Sequence, residues 1–285
     1  MDIRMKGTGV EAGTGHAQVI GFEGLASISL EGLIAQAALL QRVDRKYLVP
    51  AADAAVILDG IDRRSRVLEI GGRRGFAYDS VYFDTPDHLS YRLTAQRRRR
   101  RFKLRTRSYL DTGTAYLELK TKSGRGSTVK DRVPYDPHNR EKLTDEGREY
   151  VSALLEQHGH NPRLVERLRP SLVSRYRRAT LLLPCGSRAT IDTELRWTTA
   201  DGEQRTALPG HVIIETKSLR RPSELDRTLW CAGYRPSGLS KFGTGTAALH
   251  PELPSNKWAR TLRGAFSAQS TAAAYSHAPT PGGTS

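Results

Sequence analysis

Apolar residues recur at helical spacing in a few stretches of this chain and at strand spacing through most of the rest. Leu30, Leu33, Ile34, Ala37, Ala38 and Leu40 form an approximate helical stripe over Leu30–Gln41. Arg45–Val49 then reads as a strand, and Ala51–Ile61 as a second helix that starts just after Pro50. From there the period falls to two. Val67–Ile70, Ala77–Asp84, Arg99–Tyr109, Ala115–Lys122 and Thr128–Pro134 are short and β-rich, with turns marked by Gly72, Gly75, Asp111, Gly113, Gly124 and Gly126. Pro86–Gln96 is a helical insertion with Asp84 or Thr85 as its N-cap, and Leu143–His158 is a helix capped by Thr144. Strands follow at Leu172–Leu183, Arg188–Trp197 and Val212–Lys217. The chain then predicts a helix over Pro222–Ala232 capped before its proline, a Gly/Ser-rich loop over Ser237–Gly245 and a short helix over Ser255–Phe266. The expected class is α+β, with a large, mainly antiparallel sheet.

Charge sits on these strands in an unusual way. In Phe102–Arg107, Lys103, Arg105 and Arg107 share one face, while Phe102, Leu104 and Thr106 share the other. Tyr116–Lys122 sets Glu118, Lys120 and Lys122 against Leu117, Leu119 and Thr121. Lys130 and Arg132 repeat the spacing, as do Arg175 with Arg177. Arg188, Thr190, Asp192 and Glu194 oppose Ala189 and Ile191, and Glu215 and Lys217 oppose Ile214. A solvated face explains any one such strand. Six of them, mostly basic, would place like charges side by side on a sheet, where they repel. A sheet curled so that these faces meet, with helices over its apolar outside, makes a charged tunnel suited to a polyanion or to several carboxylates.

Composition supports a polyanionic partner. The chain has 285 residues and a net charge of +15, from 45 Lys+Arg against 30 Asp+Glu. Thirty-five of the basic residues are Arg, the side chain suited to bidentate phosphate or carboxylate contacts. The two cysteines, Cys185 and Cys231, make neither a disulfide framework nor a cysteine zinc site. No apolar stretch is long enough to span a membrane, and Met1–Gly15 has no secretory core, so a cytoplasmic protein is expected. Residues 1–18 and 269–285 read as a disordered leader and tail around one domain, 19–268. The run Arg97–Arg101 fits either a solvated helix-to-strand junction or a nucleic-acid patch. Nucleic-acid binding is not otherwise indicated, because no helix-turn-helix pattern, zinc-finger spacing or aromatic RNA motif accompanies the run.

A series of short motifs occurs in a fixed order: Arg45–Val49 (RKYLV), Ser80–Pro86 (SVYFDTP), Lys103–Tyr109 (KLRTRSY), Tyr116–Lys122 (YLELKTK), Val129–Arg132 (VKDR), Val173–Arg178 (VSRYRR), Arg188–Arg196 (RATIDTELR), Ile213–Lys217 (IIETK) and Ser240–Phe242 (SKF). Together they resemble the VTC domain, the polyphosphate polymerase family of the triphosphate tunnel metalloenzymes, over roughly residues 30 to 250. The resemblance implies an antiparallel β-barrel tunnel with helices packed around it. It also implies a reaction in which the γ-phosphate of ATP moves onto a growing polyphosphate chain, with Mn2+ or Mg2+ bridging the phosphates.

Carried onto this sequence, the resemblance puts Lys46 at the tunnel wall and Arg105 and Arg107 on phosphates. Lys120, Lys130 and Arg132 are further basic rungs, with Lys103 and Lys217 beside them. Arg177 matches the arginine of the central strand, and Arg175 stands where the family often has Tyr. Arg188 precedes the Asp strand, Glu215 matches the metal-binding glutamate, and Ser240 with Lys241 match a closing Ser-Lys pair on a glycine-flanked loop. Glu118 and Asp192 are further inward carboxylates that either bind metal or pair with neighbouring cations. Related tunnel hydrolases start with an ExExK-type strand, whereas Val43–Lys46 carries one acid. The residues therefore favour a phosphotransferase. Two alternatives stay open: a triphosphate or polyphosphate hydrolase, and a non-catalytic polyanion-binding module.

Overall fold

The computed structural model describes residues 22–36, 43–122 and 128–266. The expected leader, the expected tail and the turn at Gly124 and Gly126 lie outside the described residues. Among the described residues, eleven strands form one sheet: β1 (Ala26–Ile28), β2 (Val43–Pro50), β3 (Arg66–Leu68), β4 (Phe76–Asp84), β5 (Arg101–Tyr109), β6 (Thr114–Lys122), β7 (Thr128–Tyr135), β8 (Arg169–Leu182), β9 (Arg188–Thr199), β10 (Arg205–Ala207) and β11 (His211–Ser218). The main path runs β2-β11-β9-β8-β4-β5-β6-β7, all antiparallel. Short β1 and β3 pair in parallel, β3 joins β8, and β10 joins β9. The helices are α1 (Leu30–Gln36), α2 (Ala51–Asp59), α3 (Leu89–Ala95), α4 (Asp145–Gln157), α5 (Glu224–Cys231), α6 (Lys241–Leu249) and α7 (Ala259–Thr261). None of them is long and apolar enough to cross a membrane.

The period-two pattern decides which face of the sheet is covered. On the outside, Val81, Phe83, Phe102, Leu104, Leu117 and Leu119 pack against Val151 and Leu155 of α4. Tyr47, Val49, Ala189, Ile191 and Ile214 pack against Ala54 and Leu58 of α2 and Leu225 and Leu229 of α5. The opposite face is concave. Lys120 of β6 feels the charges of Lys46 and Asp44 on β2 and of Lys217 and Glu215 on β11, strands at the other end of the path. The sheet therefore curls into a barrel-like tunnel. It does not close, because β2 and β7 stay unpaired with each other among the described residues.

Three local expectations need correction. α3 begins at Leu89, not Pro86. Asp84 and Thr85 still serve its start: Asp84 accepts from the backbone N–H groups of Ser90 (2.8 Å) and Tyr91 (2.9 Å), and Thr85 Oγ1 accepts from Leu89 (3.0 Å). α5 is capped after its proline, by Ser223 in a reciprocal box with Asp226. The third correction matters most. Lys241–Gly245, read as a flexible loop, is the first half of buried helix α6. Its glycines are there for close packing: a Cβ on Gly243 would sit 2.1 Å from Trp258, and one on Gly245 would sit 2.3 Å from Trp197. Glycine's poor helix propensity is overridden by two indole rings that need the space.

Candidate active site

Each inward side chain is set by its strand and by an outward anchor next to it. On β2, Arg45 faces out, reaching Asp226 at 3.5 Å and donating to Ser218 Oγ at 2.8 Å. Tyr47 also faces out and donates to Asp226 Oδ1 at 2.6 Å. Lys46 between them must then face in, where its Nζ donates to Glu215 Oε1 at 2.8 Å. On β11, Thr216 binds the same Asp226 (2.6 Å), which leaves Glu215 and Lys217 on the inner face. Lys217 Nζ bridges Glu215 Oε1 (2.7 Å) and Asp44 Oδ2 (2.9 Å).

The opposite wall is built from β5, β6 and β7. Arg105 reaches Glu118 Oε2 at 2.7 Å, Lys130 reaches Oε1 at 2.6 Å, and Arg107 stands 3.8 Å from Oε2. Register places Lys103 beside Lys120, Lys120 beside Lys130, and Glu118 beside Arg132, which lies over the Tyr116 ring. Lys103 meets several like charges: burial, then Lys120, Arg107 and Lys46, push its ammonium down to about 7.

β4, β8 and β9 form the floor. Tyr78 stacks on Tyr176 at 5.1 Å, and Arg178 lies over both rings. The Arg178 guanidinium donates to both oxygens of Asp192, at 2.6 and 2.8 Å, and Lys241 Nζ of α6 shares that carboxylate. Among the described residues, Ser80 and Ser174 hydroxyls, Tyr176 Oη and Arg107 Nε are buried here without hydrogen-bond partners. Such orphan donors are costly and suit an anionic guest.

Lys46, Lys103, Arg105, Arg107, Lys120, Lys130, Arg132, Lys217 and Lys241 are thus gathered on one concave surface with Glu118, Asp192 and Glu215. Arg188 keeps the inner register beside Lys217 and donates to the Leu33 carbonyl at 3.5 Å. Arg175 and Arg177 do not belong to the site. They lie on the outer face of β8, Arg175 on Asp79 (3.0 Å) and Arg177 by Glu194 (3.9 Å) and the Gly75 carbonyl. Arg178 takes the inward place, because Tyr176 and Arg178 share the parity of Ser174. Glu194 also leaves the Asp192 face: its φ of 53° and the adjacent register shift mark a bulge. Ser240 is the N-cap of α6, its Oγ accepting from Gly243 N–H at 3.3 Å, and so anchors the turn that carries Lys241. Sequence reasoning missed Arg178, Tyr176, Tyr78 and Tyr82.

Glu118, Asp192 and Glu215 belong to β6, β9 and β11, each shared between cations, and Asp44 of β2 joins them through Lys217. Burial raises the Glu215 carboxyl, but Lys46 and Lys217 outweigh it and hold it well below the usual range. For Glu118, burial is likewise outweighed by Arg107 and Lys130. Among the described residues no three His, Cys, Asp or Glu side chains converge into a metal cage. The donor set instead fits a divalent ion bound to one carboxylate with other oxygens completing its shell. Both lysines on Glu215 use Oε1, which leaves Oε2 as the available donor.

A Hippeastrum protein with a dominant triphosphatase activity is similar in structure, with 20% identity and a TM-score of 0.44 over 76% of this chain and 99% of that one. A candidate adenylate cyclase from Vibrio parahaemolyticus gives 16% and 0.36 over 68% and 87%, and the PH1012 protein of Pyrococcus horikoshii gives 14% and 0.36 over 68% and 88%. No curated protein matches the chain in sequence. The VTC domain family, by contrast, matches residues 41–250, which include every strand of the main path and the Ser240–Lys241 start of α6. The chain belongs to the VTC domain family.

Proposed function

We propose that this protein is a metal-dependent phosphotransferase of the polyphosphate polymerase type, working in the cytoplasm, where ATP is supplied. The observation that carries the reading is the arrangement of Arg105, Arg107, Arg178 and Lys241 around Glu118 and Asp192 on one concave face. In-line phosphoryl transfer needs position and charge compensation more than covalent help. The oxygen of a terminal polyphosphate unit attacks the γ-phosphorus of ATP, the β–γ bridge bond breaks, and ADP leaves. Guanidinium forks hold the phosphate oxygens bidentately, and the carboxylates keep those forks in place before substrate arrives. Orphan donors at Ser80, Ser174 and Tyr176 suit further phosphate oxygens.

Glu215 would hold Mn2+ or Mg2+, which supplies charge neutralisation at the phosphates. Lys46 and Lys217 keep that carboxylate ionised for the purpose. The test is incubation of the purified protein with ATP and either metal, reading polyphosphate, ADP and free phosphate. Polymer with ADP is expected. Free phosphate without polymer would assign the tunnel to hydrolysis, and neither product would leave a binding module.

A further inference from the structure

Arg97–Arg101 runs from the end of α3 to the first residue of β5. Arg97 to Arg100 are exposed. Their hydrogen bonds, with that of Lys257, go to neutral groups: Arg98 to Gln96 Oε1, Arg101 to the Arg98 carbonyl and Lys257 to the Thr94 carbonyl. Among the described residues none of Arg97–Arg101, Lys122 and Lys257 has a carboxylate at ion-pair distance. Some exposed arginines elsewhere do, among them Arg63 with Asp59, Arg64 with Asp62, Arg73 with Asp111 and Arg167 with Asp87, while Arg227 and Arg235 bond to backbone carbonyls; what distinguishes this run is that its cations are consecutive. Arg97, Arg101 and Lys122 form one cluster in space, since all three act on the half-buried ammonium of Lys257, while Arg100 lies by His160.

This cluster continues the tunnel wall. Arg101 is the first residue of β5, and Arg101, Lys103, Arg105 and Arg107 follow one another on the same face. Cross-strand register sets Arg101 beside Lys122 and Lys103 beside Lys120. A line of cations at strand spacing therefore runs from the inner site out onto an exposed run of four arginines. An uncompensated surface cluster of like charge opposes folding and persists where a polyanion covers it. A triphosphate would be taken up inside; the external cations match a ligand that extends beyond the site.

We propose that the Arg97–Arg100 run, with Arg101, Lys122 and Lys257, is an external track for the polyphosphate chain, fixing the end of the tunnel at which the chain lies. The inference rests on the polyphosphate reading above. Its occupant is linear inorganic polyphosphate, because the track is continuous with an inner surface suited to bare phosphates.

The test compares the full-length protein with a variant carrying Arg97→Gln, Arg98→Gln, Arg99→Gln and Arg100→Gln. These side chains are exposed, and a melting temperature at or above that of the wild type verifies the fold. The probes are tripolyphosphate, polyphosphate of tens of units, and single-stranded RNA of equal phosphate number. The variant should lose roughly tenfold or more in long-chain affinity, with a shallower salt dependence, because several phosphate contacts disappear. Its tripolyphosphate affinity should match that of the wild type, and the chains it makes from ATP should be shorter. Equal long-chain affinity and equal product length in the two proteins would overturn the track while leaving the polymerase reading intact. A wild type that neither binds nor makes long chains would overturn both. Tighter binding of RNA, lost in the variant, would assign the patch to nucleic acid instead.

Discussion

Arg178 holds Asp192 through both oxygens, Nε to Oδ1 at 2.6 Å and Nη2 to Oδ2 at 2.8 Å, and Lys241 of α6 shares the same carboxylate. This pairing ties a helix to the floor of the tunnel and places two cations on either side of one fully buried acid. Arg178→Ala should therefore damage both stability and function. Removing one member of a buried pair costs about 3–5 kcal/mol where the other charge is left uncompensated, and because Lys241 stays on Asp192 the loss should fall towards the lower end of that range. Arg178→Lys keeps the charge and loses the fork. It should fold, yet lower kcat/KM by roughly 100-fold, the scale of a lost charge-stabilising donor. Arg177→Ala should change stability by less than about 1 kcal/mol, since its 3.9 Å contact with Glu194 is solvent-exposed, and should leave turnover intact. Thermal melts and steady-state kinetics on the three variants check this.

Gly243 and Gly245 give a second test. Each lies in α6 against an indole, with no room for a methyl group. Gly245→Ala should destabilise by about 1–3 kcal/mol through overpacking, although alanine is the better helix former. A variant as stable as the wild type in denaturant titration would mean that α6 can shift away from Trp197.

The strand faces were legible because alternation is strict. Phe102–Arg107 and Tyr116–Lys122 admit one division into apolar and charged faces, and the outer helices cover the apolar one. β8 resisted for a clear reason: Ser174–Arg178 puts arginine on both faces, at 175 and 177 on one and 178 on the other. The apolar end of the strand does not settle the parity either, because Leu181, Leu182 and Leu183 are all buried, on both faces. α6 resisted because local propensity favours a loop for Lys241–Gly245, and the deciding contacts, Trp197 and Trp258, are distant in sequence. The ion pairs of Glu118, Asp192 and Glu215 depend on cross-strand register and helix placement, which single-strand patterns do not supply.

Lys103 predicts a pH effect. Its ammonium is pushed down to about 7, by burial and then by Lys120, Arg107 and Lys46. Above that value the folded protein lacks a proton that the unfolded chain keeps, so this group makes stability rise with pH towards the ordinary lysine range. Binding has the opposite sign, because bound phosphate favours the charged form. Tripolyphosphate affinity should weaken as pH rises through about 7, and binding on the alkaline side should take up a proton. Calorimetry in buffers of different ionisation enthalpy measures that uptake. Lys103→Arg, which stays charged, should abolish it. Uptake that persists in the variant would place the proton elsewhere.

Glu215 carries the last prediction, and the structure sharpens how it must be tested. The carboxylate has two lysines on Oε1, at 2.8 Å for Lys46 and 2.7 Å for Lys217, and it is 9% exposed. Glu215→Gln preserves the shape but leaves two ammonium groups without their counter-charge, so a fall in activity alone would not separate metal binding from ion pairing. The two roles differ in what restores function. If Glu215 only balances charge, Glu215→Gln combined with Lys46→Met should recover stability, and metal affinity should be unaffected throughout. If Glu215 ligates the metal through Oε2, the double variant should recover stability without recovering metal affinity. Mn2+ binding in the presence of tripolyphosphate should then fall by roughly tenfold or more, since a hard cation loses an anionic oxygen donor. Tripolyphosphate binding without metal should stay within a few-fold of the wild type or tighten, because the removed charge repels phosphate. Unchanged Mn2+ affinity in Glu215→Gln would remove Glu215 from the metal site and leave it as the counter-ion of Lys46 and Lys217.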